Sequence, residues 1–560
     1  MSRISPTHGR HTRASRVSDS YTLILSVLDP FRCFTALLTL VIAPACSVLP
    51  EQPAQDFDCL VEEGVPRGLN LPPLDPEKHH PSASFLTPLA ASDLDGDGDI
   101  DLVVGRPDSA LDLYENDGNG VFLAQSGLLP PDPGGSVGAY FEVAGHFFAD
   151  LDGDSLPDLL RPGFGLLAMH RNLGNLSFGG PEFLYLEAES SEPAFYGTVA
   201  VADLDIDGDL DIILPSLHGG VDSSHEGLLP GAPDLILMQR ESGSFEVAAE
   251  LLVDGLAGMS QLALPTDRDG DGDLDIYVGA DLKNPLYPPA AFWRNDGSTS
   301  GLVEDAAVVG TDQRVSAMGA AVFDYNEDGL PDYCFSDIGP IACLLSNPDG
   351  PYVEMTATWN LEPSSLSGTE VWTAWSIEAV DIDNDGRLDL ISSGGAPDDI
   401  EGEKGLNNPF DYEHPNAIWQ GTRDGFIDRT GLLNFGNLGN DYGLAAADFN
   451  EDGFVDVAVA GHDGVRLWVN QCSVGAWLQL DLIGGGLNRQ AFGASVRVEA
   501  GERSWFQEVT GPRTVGQSPT RLHFGLGEIE LIERVTVQWL GGANTVLENV
   551  DVRQILRVEQ

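Results

Sequence analysis

The sequence predicts an all-β protein, and three observations support this fold class. First, the 560 residues include 65 glycines and 36 prolines but only 28 lysines and arginines, which suits short strands and turns better than long helices. Second, 42% of the residues are hydrophobic, which is enough to build a packed core. Third, a nine-residue acidic pattern recurs between short apolar runs, so the chain repeats one small β unit.

Net charge excludes nucleic acid as a partner. Aspartate and glutamate together number 88, and the formal net charge is −60. A surface of this sign repels phosphate backbones, so we expect no nucleic-acid binding. The hydrophobic content also excludes a wholly disordered acidic chain, because such chains lack core-forming residues.

Residues 1–45 are predicted to be a signal peptide. They carry five arginines, and residues 34–45 form an apolar run that is too short to span a bilayer but suits an export signal. The run ends in Ala-Pro-Ala, which fits the small-residue cleavage rule, and Cys46 follows, as at a bacterial lipoprotein cleavage site. We expect an extracytoplasmic protein that is secreted or lipid-anchored at the cell envelope, with the membrane contacted only through a lipid on Cys46. The alternative is a cytoplasmic protein with an apolar leader.

The acidic pattern is D-x-[DN]-x-D-G-x-x-D, and successive copies begin 53 to 67 residues apart. A near-constant interval with β-forming residues on both sides indicates stacked or radially arranged units rather than independent domains. The second copy departs from the pattern, because Ser155 stands where the others have glycine. The seven copies begin at Asp93, Asp150, Asp203, Asp267, Asp324, Asp381 and Asp448.

The residue types in these loops are typical of calcium sites. Ca²⁺ binds six to eight oxygens; positions 1, 3, 5 and 9 offer side-chain oxygens, and position 7 can offer its backbone carbonyl. The seven loops hold 31 of the 88 acids, whose repulsion a bound cation would relieve. We therefore expect up to seven calcium ions, one in each loop, with a mainly structural role. An EF-hand array is excluded, because β patterns flank the loops and position 12 is never glutamate.

The predicted metal ligands of the first four loops are Asp93, Asp95, Asp97, Asp99, Asp101, Asp150, Asp152, Asp154, Asp158, Asp203, Asp205, Asp207, Asp209, Asp211, Asp267, Asp269, Asp271, Asp273 and Asp275. Those of the last three loops are Asp324, Asn326, Asp328, Leu330, Asp332, Asp381, Asp383, Asp385, Arg387, Asp389, Asp448, Asn450, Asp452, Phe454 and Asp456.

Each repeat is expected to form four short antiparallel strands, with the acidic loop between the first two. In the second repeat these strands read VAGHFFAD, PDLLRPG, LLAMHRNLG and LSFGG. Four such strands make one propeller blade, so the sequence predicts a seven-bladed β-propeller with calcium loops over residues 57–472. The last repeat lacks a fourth strand, and we expect residues 57–66 to supply it.

The cysteines support this closure. Cys59 would lie beside Cys472, and Cys334 and Cys343 flank a turn within the fifth repeat. Apart from Cys33 and Cys46, the chain has four cysteines, which allow three pairings, of which Cys59–Cys472 with Cys334–Cys343 is the natural one. Disulfides of this kind require an oxidising compartment.

Residues 476–560 differ in composition from the rest of the chain. They contain eight basic and ten acidic residues, whereas the preceding residues carry almost all of the negative charge. Apolar and polar residues alternate between glycine-rich turns, and the acidic pattern is absent. This segment is predicted to be a small β-sandwich-like domain. His523 is expected to be structural rather than catalytic.

The repeats resemble the FG-GAP/VCBS family, whose fold is the integrin-α type seven-bladed propeller. The resemblance covers residues 57–472 and includes Asn-x-Gly turns at Asn116, Asn172 and Asn295.

The carboxy-terminal segment resembles the ASPIC/UnbV domain, although Gly541-Gly542 replaces the usual turn after Leu540. FG-GAP repeats followed by this domain resemble the cartilage acidic protein family and its bacterial relatives. The resemblance implies an extracellular calcium-binding protein associated with adhesion or matrix. The motifs that carry it are Asn488-Arg489, Phe492-Gly493-Ala494, residues 522–527 and Val537-Gln538-Trp539.

We expect a binding protein rather than an enzyme. Residues 134–138 satisfy the letters G-x-S-x-G but follow a proline-rich stretch rather than a strand, so they lack the nucleophile elbow. Two other functions stay open, namely a calcium-dependent carbohydrate-active enzyme (lyase or glycosidase) and a passive extracytoplasmic scaffold.

An extracellular protein or glycan is the expected partner. Three long connections between second and third strands should meet on the rim opposite the acidic loops, at residues 216–233, 281–290 and 396–415. Their candidate contact residues are His218, His225, Tyr287, Phe410, Tyr412 and His414.

Overall fold

The structure is a computed structural model that describes residues 59–560, with gaps at 70–87, 107–110, 126–144, 188–192, 220–230, 242, 281–282, 284–286, 298–300, 365–370, 396–413, 432–434, 437, 462–463, 473 and 513–514. The predicted signal peptide, Cys46, His225, Phe410 and Tyr412 lie outside the described residues. Within the described part of the chain, no helix has the length and apolar character needed to cross a membrane.

Strand β1 spans Leu60–Glu62, ahead of the first acidic loop. The first repeat contains β2 (Leu89–Ser92), β3 (Asp101–Gly105), β4 (Leu111–Asn116) and β5 (Phe122–Gln125). The second contains β6 (Phe147–Ala149), β7 (Asp158–Gly163), β8 (Leu166–His170) and β9 (Glu182–Leu186). The third contains β10 (Ala194–Tyr196), β11 (Ala200–Ala202), β12 (Asp211–Leu214), β13 (Ser216–Gly219), β14 (Asp234–Gln239) and β15 (Phe245–Leu251).

Two short helices occur in the next repeats. The fourth repeat contains β16 (Ser260–Thr266), β17 (Asp275–Ala280), β18 (Ala291–Arg294), β19 (Val303–Glu304) and α1 (Ala306–Val309). The fifth contains β20 (Ala320–Phe323), β21 (Asp332–Phe335), β22 (Ala342–Leu345), β23 (Val353–Glu354) and α2 (Thr356–Trp359). The sixth contains β24 (Ala374–Val380), β25 (Asp389–Gly394), β26 (His414–Pro415), β27 (Ala417–Thr422), β28 (Gly425–Asp428) and β29 (Leu438–Gly439).

The chain then completes the last repeat and enters the carboxy-terminal segment. The seventh repeat contains β30 (Asp441–Ala447), β31 (Asp456–Gly461) and β32 (Gly464–Asn470). The carboxy-terminal segment contains β33 (Ala476–Ile483), β34 (Ser495–Ala500), β35 (Arg503–Glu508), β36 (Gly516–Gln517), β37 (Leu522–Gly527), β38 (Leu531–Gln538), β39 (Asn544–Asp551) and β40 (Gln554–Glu559).

Each acidic repeat forms one antiparallel sheet with its strands in chain order, as β2-β3-β4-β5 shows for the first. The acidic loop always joins the first strand to the second. In the last repeat the fourth position is taken by β1, which pairs with β32 from Leu60 opposite Asn470. This confirms that the segment before the first repeat completes the last sheet. The ribbons β10-β13 and β26-β29 extend the third and sixth repeats.

Neighbouring sheets share buried apolar cores, and these cores close into a ring. One core joins the first repeat to the last, with Leu102 and Leu467 both fully buried in it. Six corresponding cores join the remaining pairs of consecutive repeats, one core for each pair. A closed ring of radially packed four-stranded sheets is the β-propeller architecture, so the predicted all-β propeller fold is confirmed.

Both expected disulfides are present in the structure. Cys59 and Cys472 join β1 to the end of β32, with their Cα atoms 5.1 Å apart and a sequence separation of 413 residues. Cys334 and Cys343 are directly opposite one another on β21 and β22, with their Cα atoms 4.1 Å apart. The first disulfide therefore fastens the ring at the point where its two ends meet.

One predicted strand is wrong. The outermost strand of the second repeat is β9, Glu182–Leu186, whereas the sequence favoured LSFGG at residues 176–180. Within that stretch, Phe178 forms only an isolated bridge with Asn172. The outermost strand is largely exposed, so its sequence carries little of the apolar signal that marks the inner strands.

The carboxy-terminal strands form two further sheets, β37-β33-β40 and β35-β34-β38-β39. A continuous apolar core connects both sheets to the second and third repeats, and it contains Leu478 and Val535 beside Leu160 and Ile212. Strand β36 leaves these sheets and pairs in parallel with β2 of the first repeat. The segment is thus packed onto the propeller, and its predicted boundary at residue 476 stays a prediction.

Candidate metal-binding loops

The aspartate at position 1 fixes the turn of each acidic loop. In the first loop, Asp93 accepts hydrogen bonds from the backbone N–H groups of Gly96 and Gly98, at 2.8 and 3.0 Å. The fourth loop repeats this pattern, with Asp267 accepting from Gly270 and Gly272. The backbone therefore turns around the position 1 carboxylate, and this turn brings the following acids together.

The aspartate at position 9 anchors the loop to the sheet. Asp101 accepts the N–H of Leu94 at 3.1 Å and the N–H of Asn116, at the end of the third strand, at 2.9 Å. Every other loop except the fourth has the same pair of contacts. In the fourth, Asp275 accepts the N–H of Asn295 and pairs with Arg268 at 3.4 Å. Position 9 thus has a structural task besides its predicted role as a ligand.

In each of five loops, three acids lie close enough together to bind one ion of their own. In each group, one carboxylate oxygen per residue lies within 4.8 Å of the others. Oxygens that bind one Ca²⁺ at 2.3–2.6 Å are separated by no more than about 5 Å, so this spacing fits the ion. The groups are Asp93-Asp95-Asp97, Asp150-Asp152-Asp154, Asp203-Asp205-Asp211, Asp267-Asp269-Asp271 and Asp381-Asp383-Asp385.

Three buried carboxylate oxygens in these loops also lack hydrogen-bond partners among the described residues. They are Oδ1 of Asp205 in the third loop and Oδ1 of Asp273 and Oδ2 of Asp275 in the fourth, and the last of these lies in the ion pair with Arg268. The Asp273 side chain belongs to a residue that is only 8% exposed. A buried carboxylate oxygen without a donor is costly, and a bound cation would satisfy it.

At position 7, the backbone N–H donates a hydrogen bond to the carboxylate at position 5. Leu330 donates to Asp328 at 2.9 Å, Arg387 to Asp385 at 2.8 Å, and Phe454 to Asp452 at 3.0 Å. Asp99 and Asp209 donate in the same way. The side chain at this position is not needed for the contact, which explains why the residue type varies.

The fifth and seventh loops differ from the rest, because asparagine occupies position 3. Asn326 donates to Asp328 at 2.9 Å, and Asn450 donates to Asp452 at 3.0 Å. Within the described residues these two loops have no cluster of three carboxylates. They carry less negative charge at the predicted metal position than the other five.

Burial raises the pKa of the aspartates at positions 1 and 9, and neighbouring acids raise it further. At position 9 the pKa of Asp101 rises to about 8 and that of Asp158 to about 7, with desolvation as the largest cause. A cation in the loop would favour the ionised form and oppose both effects. At position 1 the pKa rises to about 6 in Asp150, Asp203, Asp267, Asp324 and Asp448.

The second loop keeps the common geometry despite Ser155. This residue has φ of +72°, in the region that favours glycine, and its N–H donates to Asp150 at 2.7 Å as glycine does elsewhere. The neighbouring acids still converge. The substitution therefore strains the backbone without abolishing the site.

Replacing Ser155 with glycine is expected to stabilise the protein by about 1 kcal/mol, because glycine adopts positive φ without steric cost. Denaturant unfolding measures the gain. The matched control is Asn175→Gly, at φ of +52° outside the acidic loops. Only Ser155→Gly should also tighten calcium binding, and a lower stability for Ser155→Gly would contradict this interpretation.

The Asn-x-Gly turns link one loop to the next. Asn172 donates to the carbonyl of Pro157 in its own loop at 3.2 Å and to that of Leu94 in the preceding loop at 2.8 Å. Asn116 reaches the Phe449 carbonyl of the seventh loop at 2.8 Å, so this series also crosses the ring closure. Asn295 makes an equivalent pair, and so does Asn470, although no Asn-x-Gly turn begins there. Among the described residues, these asparagines link four of the seven pairs of neighbouring loops.

The carboxy-terminal segment covers the rim that carries the acidic loops. Its donors bind the backbone carbonyl of the glycine at position 6 in five loops. The contacts are Arg521 to Gly98 (3.2 Å), Leu487 N–H to Gly208 (2.8 Å), Gly541 N–H to Gly272 (3.2 Å), Arg497 to Gly329 (3.4 Å), and Arg503 and Trp505 to Gly386 (2.5 and 2.9 Å).

The same segment also contacts position 1 of the other loops. Gln490 accepts the N–H of Asp150 at 2.7 Å, and Gln479 donates to Oδ2 of Asp448 at 2.7 Å. Every acidic loop is therefore in contact with the carboxy-terminal segment. These contacts were not predicted from the sequence.

His523 belongs to a polar network beneath this cover. The Asn384 amide nitrogen donates to the Gly453 carbonyl at 2.9 Å, which leaves its oxygen to accept from Nε2 of His523 at 2.7 Å. Gln479 approaches Nδ1 of the same ring at 3.4 Å. Burial lowers the pKa of His523 to about 4, so the ring is neutral at pH 7. It connects the sixth and seventh loops to the carboxy-terminal segment.

Residues around β36 enter the centre of the ring. Val515 packs with Met318, Trp375 and Tyr442 of the fifth to seventh repeats. Gln517 exchanges two hydrogen bonds with the backbone of Phe148, at 3.0 and 2.8 Å. Residues 515–517 therefore contact inner strands on several sides of the ring and occupy its axis.

A cavity of about 110 Å³ lies between the inner strands and the carboxy-terminal segment. Glu378 and Asp448 of the propeller line it together with Gln479 and Glu508 of the carboxy-terminal segment. The Gln479 side-chain oxygen is buried without a hydrogen-bond partner among the described residues. The space is large enough for ordered water, which would satisfy that atom.

Two of the expected contact residues on the opposite rim are buried. His414 is fully buried and accepts the Thr373 N–H at 3.1 Å, and Tyr287 is 9% exposed. His218 is half-buried and stacks on Phe195, with ring centroids 5.4 Å apart. Of the described candidates, His218 alone has an accessible side chain.

Sequence reasoning missed the covering residues. Arg497, Arg503 and Arg521 make their loop contacts across 117 to 423 residues of sequence. The one available signal was composition, because basic residues are enriched in a segment that follows a strongly acidic chain.

Two known protein families match parts of the chain. FG-GAP-like repeats match residues 93–161 and 324–392, and the ASPIC and UnbV family matches residues 484–560. The chain therefore contains FG-GAP-like repeats and a carboxy-terminal ASPIC/UnbV domain. No curated protein matches its sequence.

Several solved structures are similar to the chain at low sequence identity. BBS1N, solved in complex with ARL6DN, is 11% identical with a TM-score of 0.40, covering 70% of this chain and 95% of that one. A lectin from Agrocybe aegerita that recognises terminal N-acetylglucosamine is 14% identical, with a TM-score of 0.39 and coverages of 74% and 94%. Rhamnogalacturonan lyase YesW is 12% identical, with a TM-score of 0.33 and coverages of 83% and 82%.

Proposed function

We propose that the chain is an exported calcium-binding β-propeller protein that acts as an adhesion or interaction module for an extracellular protein or glycan. The observation that carries the calcium proposal is the convergence of three carboxylates in each of five loops. Buried oxygens of Asp205 and Asp273 without donors support it. The two disulfides are typical of an oxidising, extracytoplasmic compartment, which supports export.

Calcium would be held by oxygens at positions 1, 3, 5 and 9 and by the backbone carbonyl at position 7. When bound, it would neutralise acids that otherwise repel one another. The chain's own residues prepare this arrangement, since Asp93 and its equivalents wind the turn and Asp101 and its equivalents anchor it to the sheet. The metal in this proposal stabilises the fold.

The ligand surface in this proposal is the rim opposite the acidic loops. The carboxy-terminal segment covers the loop rim, and residues 515–517 occupy the axis beneath it. The exposed rim carries the ribbon β10-β13, where His218 stacks beside Phe195 and Phe164. Aromatic and imidazole rings on a rigid rim are suited to binding a sugar face or a protein loop.

The proposal does not include catalysis. Position 1 and position 9 acids already accept backbone hydrogen bonds, so they are poorly placed to exchange protons with a substrate. Incubation with polysaccharides in calcium should therefore give no products. Turnover would replace the binding-module proposal with a carbohydrate-active enzyme.

The test is binding of the purified protein to an array of glycans and extracellular proteins. We expect at least one class to bind in calcium and to be released in EDTA. A His218→Ala variant should weaken that binding about tenfold, whereas Leu186→Ala, at an exposed position on the outer strand β9, should leave it unchanged. Absence of binding under both conditions would contradict the module proposal and favour a scaffold.

A further inference from the structure

We propose that calcium occupancy of the acidic loops and docking of the carboxy-terminal segment are thermodynamically coupled, so that the loops act as a calcium-dependent latch. This inference rests on the proposed calcium binding but goes beyond it. It assigns a partner to the loop rim, namely the chain's own ASPIC/UnbV segment. It also assigns a role to that segment, whose docking depends on whether the loops hold calcium.

The contacts fall at the backbone that a metal would order. Position 6 immediately precedes position 7, whose carbonyl is the predicted ligand. In the sixth loop, the Gly386 carbonyl accepts from both Arg503 (2.5 Å) and Trp505 (2.9 Å). These donors fix the peptide that leads into Arg387. A bound metal would fix the same stretch from inside the loop, so each event would prepare the geometry for the other.

Position 1 is held from outside in the same way. The Glu508 carboxylate accepts the Asp267 N–H at 3.0 Å, and Gln490 accepts the Asp150 N–H at 2.7 Å. In the seventh loop, Gln479 donates directly to the Asp448 carboxylate at 2.7 Å. The carboxy-terminal segment therefore orients the position 1 aspartates, which wind the loop and are predicted metal ligands.

Charge gives the coupling its sign. Each acidic loop carries four or five carboxylates within nine residues, and without a cation they repel one another. Loss of the ion is expected to loosen the turn that presents the position 6 carbonyl. The donors of the carboxy-terminal segment then lose their acceptors. Contacts at neighbouring loops would weaken together where the Asn172-type links join them.

Linkage makes the proposal testable from both sides. If calcium favours docking, docking must favour calcium by the same factor. Weakening the contacts between the carboxy-terminal segment and the acidic loops should therefore weaken calcium binding, although no predicted ligand is altered. Removing calcium should free the carboxy-terminal segment, although no residue of that segment is a predicted ligand.

The first arm measures calcium affinity by isothermal titration in the purified protein. The test variants are Trp505→Phe, which removes the indole donor to Gly386 but keeps an aromatic ring at this position, and Arg503→Met. The controls are Trp539→Phe, whose indole donates to Thr545 within the carboxy-terminal segment, and Arg534→Met, which pairs there with Glu499. We expect about fivefold weaker binding at one class of site in the test variants and no change in the controls.

The second arm is limited proteolysis of the unaltered protein in calcium and in EDTA. We expect cleavage between β32 and β33 in EDTA, with release of the carboxy-terminal fragment, and resistance in calcium. Wild-type affinity in both test variants together with equal resistance in EDTA would overturn the latch and leave calcium binding intact. A flat titration of the unaltered protein would overturn calcium binding itself, and the latch with it.

Discussion

Chelation of calcium is expected to lower the melting temperature by about 10 °C or more, and calcium added back should restore it. A ligand that binds only the folded state at 100 times its dissociation constant adds about 2.7 kcal/mol per site. Five loops present three converging carboxylates each, so the stabilisation free energies of five sites add up to a large total. Differential scanning calorimetry in EDTA and in calcium measures the shift.

A loop variant shows where this stability originates. Asp269→Asn combined with Asp271→Asn removes two of the three converging carboxylates in the fourth loop. It should lose part of the calcium-dependent shift, because one site is then disabled. Asp349→Asn is the control, since this exposed aspartate lies in a turn outside the acidic loops. Equal melting in EDTA and calcium would contradict the metal assignment.

Loss of the Cys59–Cys472 disulfide should be the most damaging covalent change. This bond spans 413 residues, and the loop-entropy argument gives it about 4–6 kcal/mol. Strand β1 has only three residues and one buried side chain, Leu60, with which to hold the ring closed. The double variant Cys59→Ala, Cys472→Ala should therefore unfold at markedly lower denaturant concentration.

The second disulfide provides a matched comparison. Cys334 and Cys343 are nine residues apart on paired strands within one sheet, so their replacement by alanine should cost about 2–3 kcal/mol. Unfolding curves of both double variants test the order. If the Cys59–Cys472 variant proves the more stable of the two, the ring is not closed by that bond in the way described.

The parts of the fold that depend on local or covalent signals could be predicted from the sequence. The acidic pattern placed a loop between the first and second strands of every repeat, and the structure confirms this arrangement. The missing fourth strand of the last repeat led to residues 57–66, where β1 is found. Cys59 and Cys472 confirmed the same closure from independent evidence.

The parts that depend on long-range contacts could not be predicted. Strand β36 has two residues, and nothing in Gly516-Gln517 indicates that it pairs with β2 some 400 residues earlier. The arginines that cover the loops have no spacing motif, because their acceptors are backbone carbonyls that any sequence offers. Strand β9 was misplaced because an exposed edge strand lacks an apolar pattern.

The candidate site was likewise predicted in part. The positions that could bind metal follow from the repeat, and the structure brings positions 1, 3 and 5 together in most loops. The double role of position 9 was not evident, since its contact with Asn116 or its equivalent requires the folded hairpin. The burial of His414 and Tyr287 could not be seen either, because both were assigned to an exposed rim by connection length alone.

Calcium stoichiometry tests the central claim most directly. Equilibrium dialysis of the purified protein against calcium, followed by metal analysis of the protein fraction, counts the bound ions per chain. The account predicts at least five, one for each loop with three converging carboxylates, and up to seven if Asn326 and Asn450 serve as ligands. A protein that retains no calcium above the dialysate would contradict it.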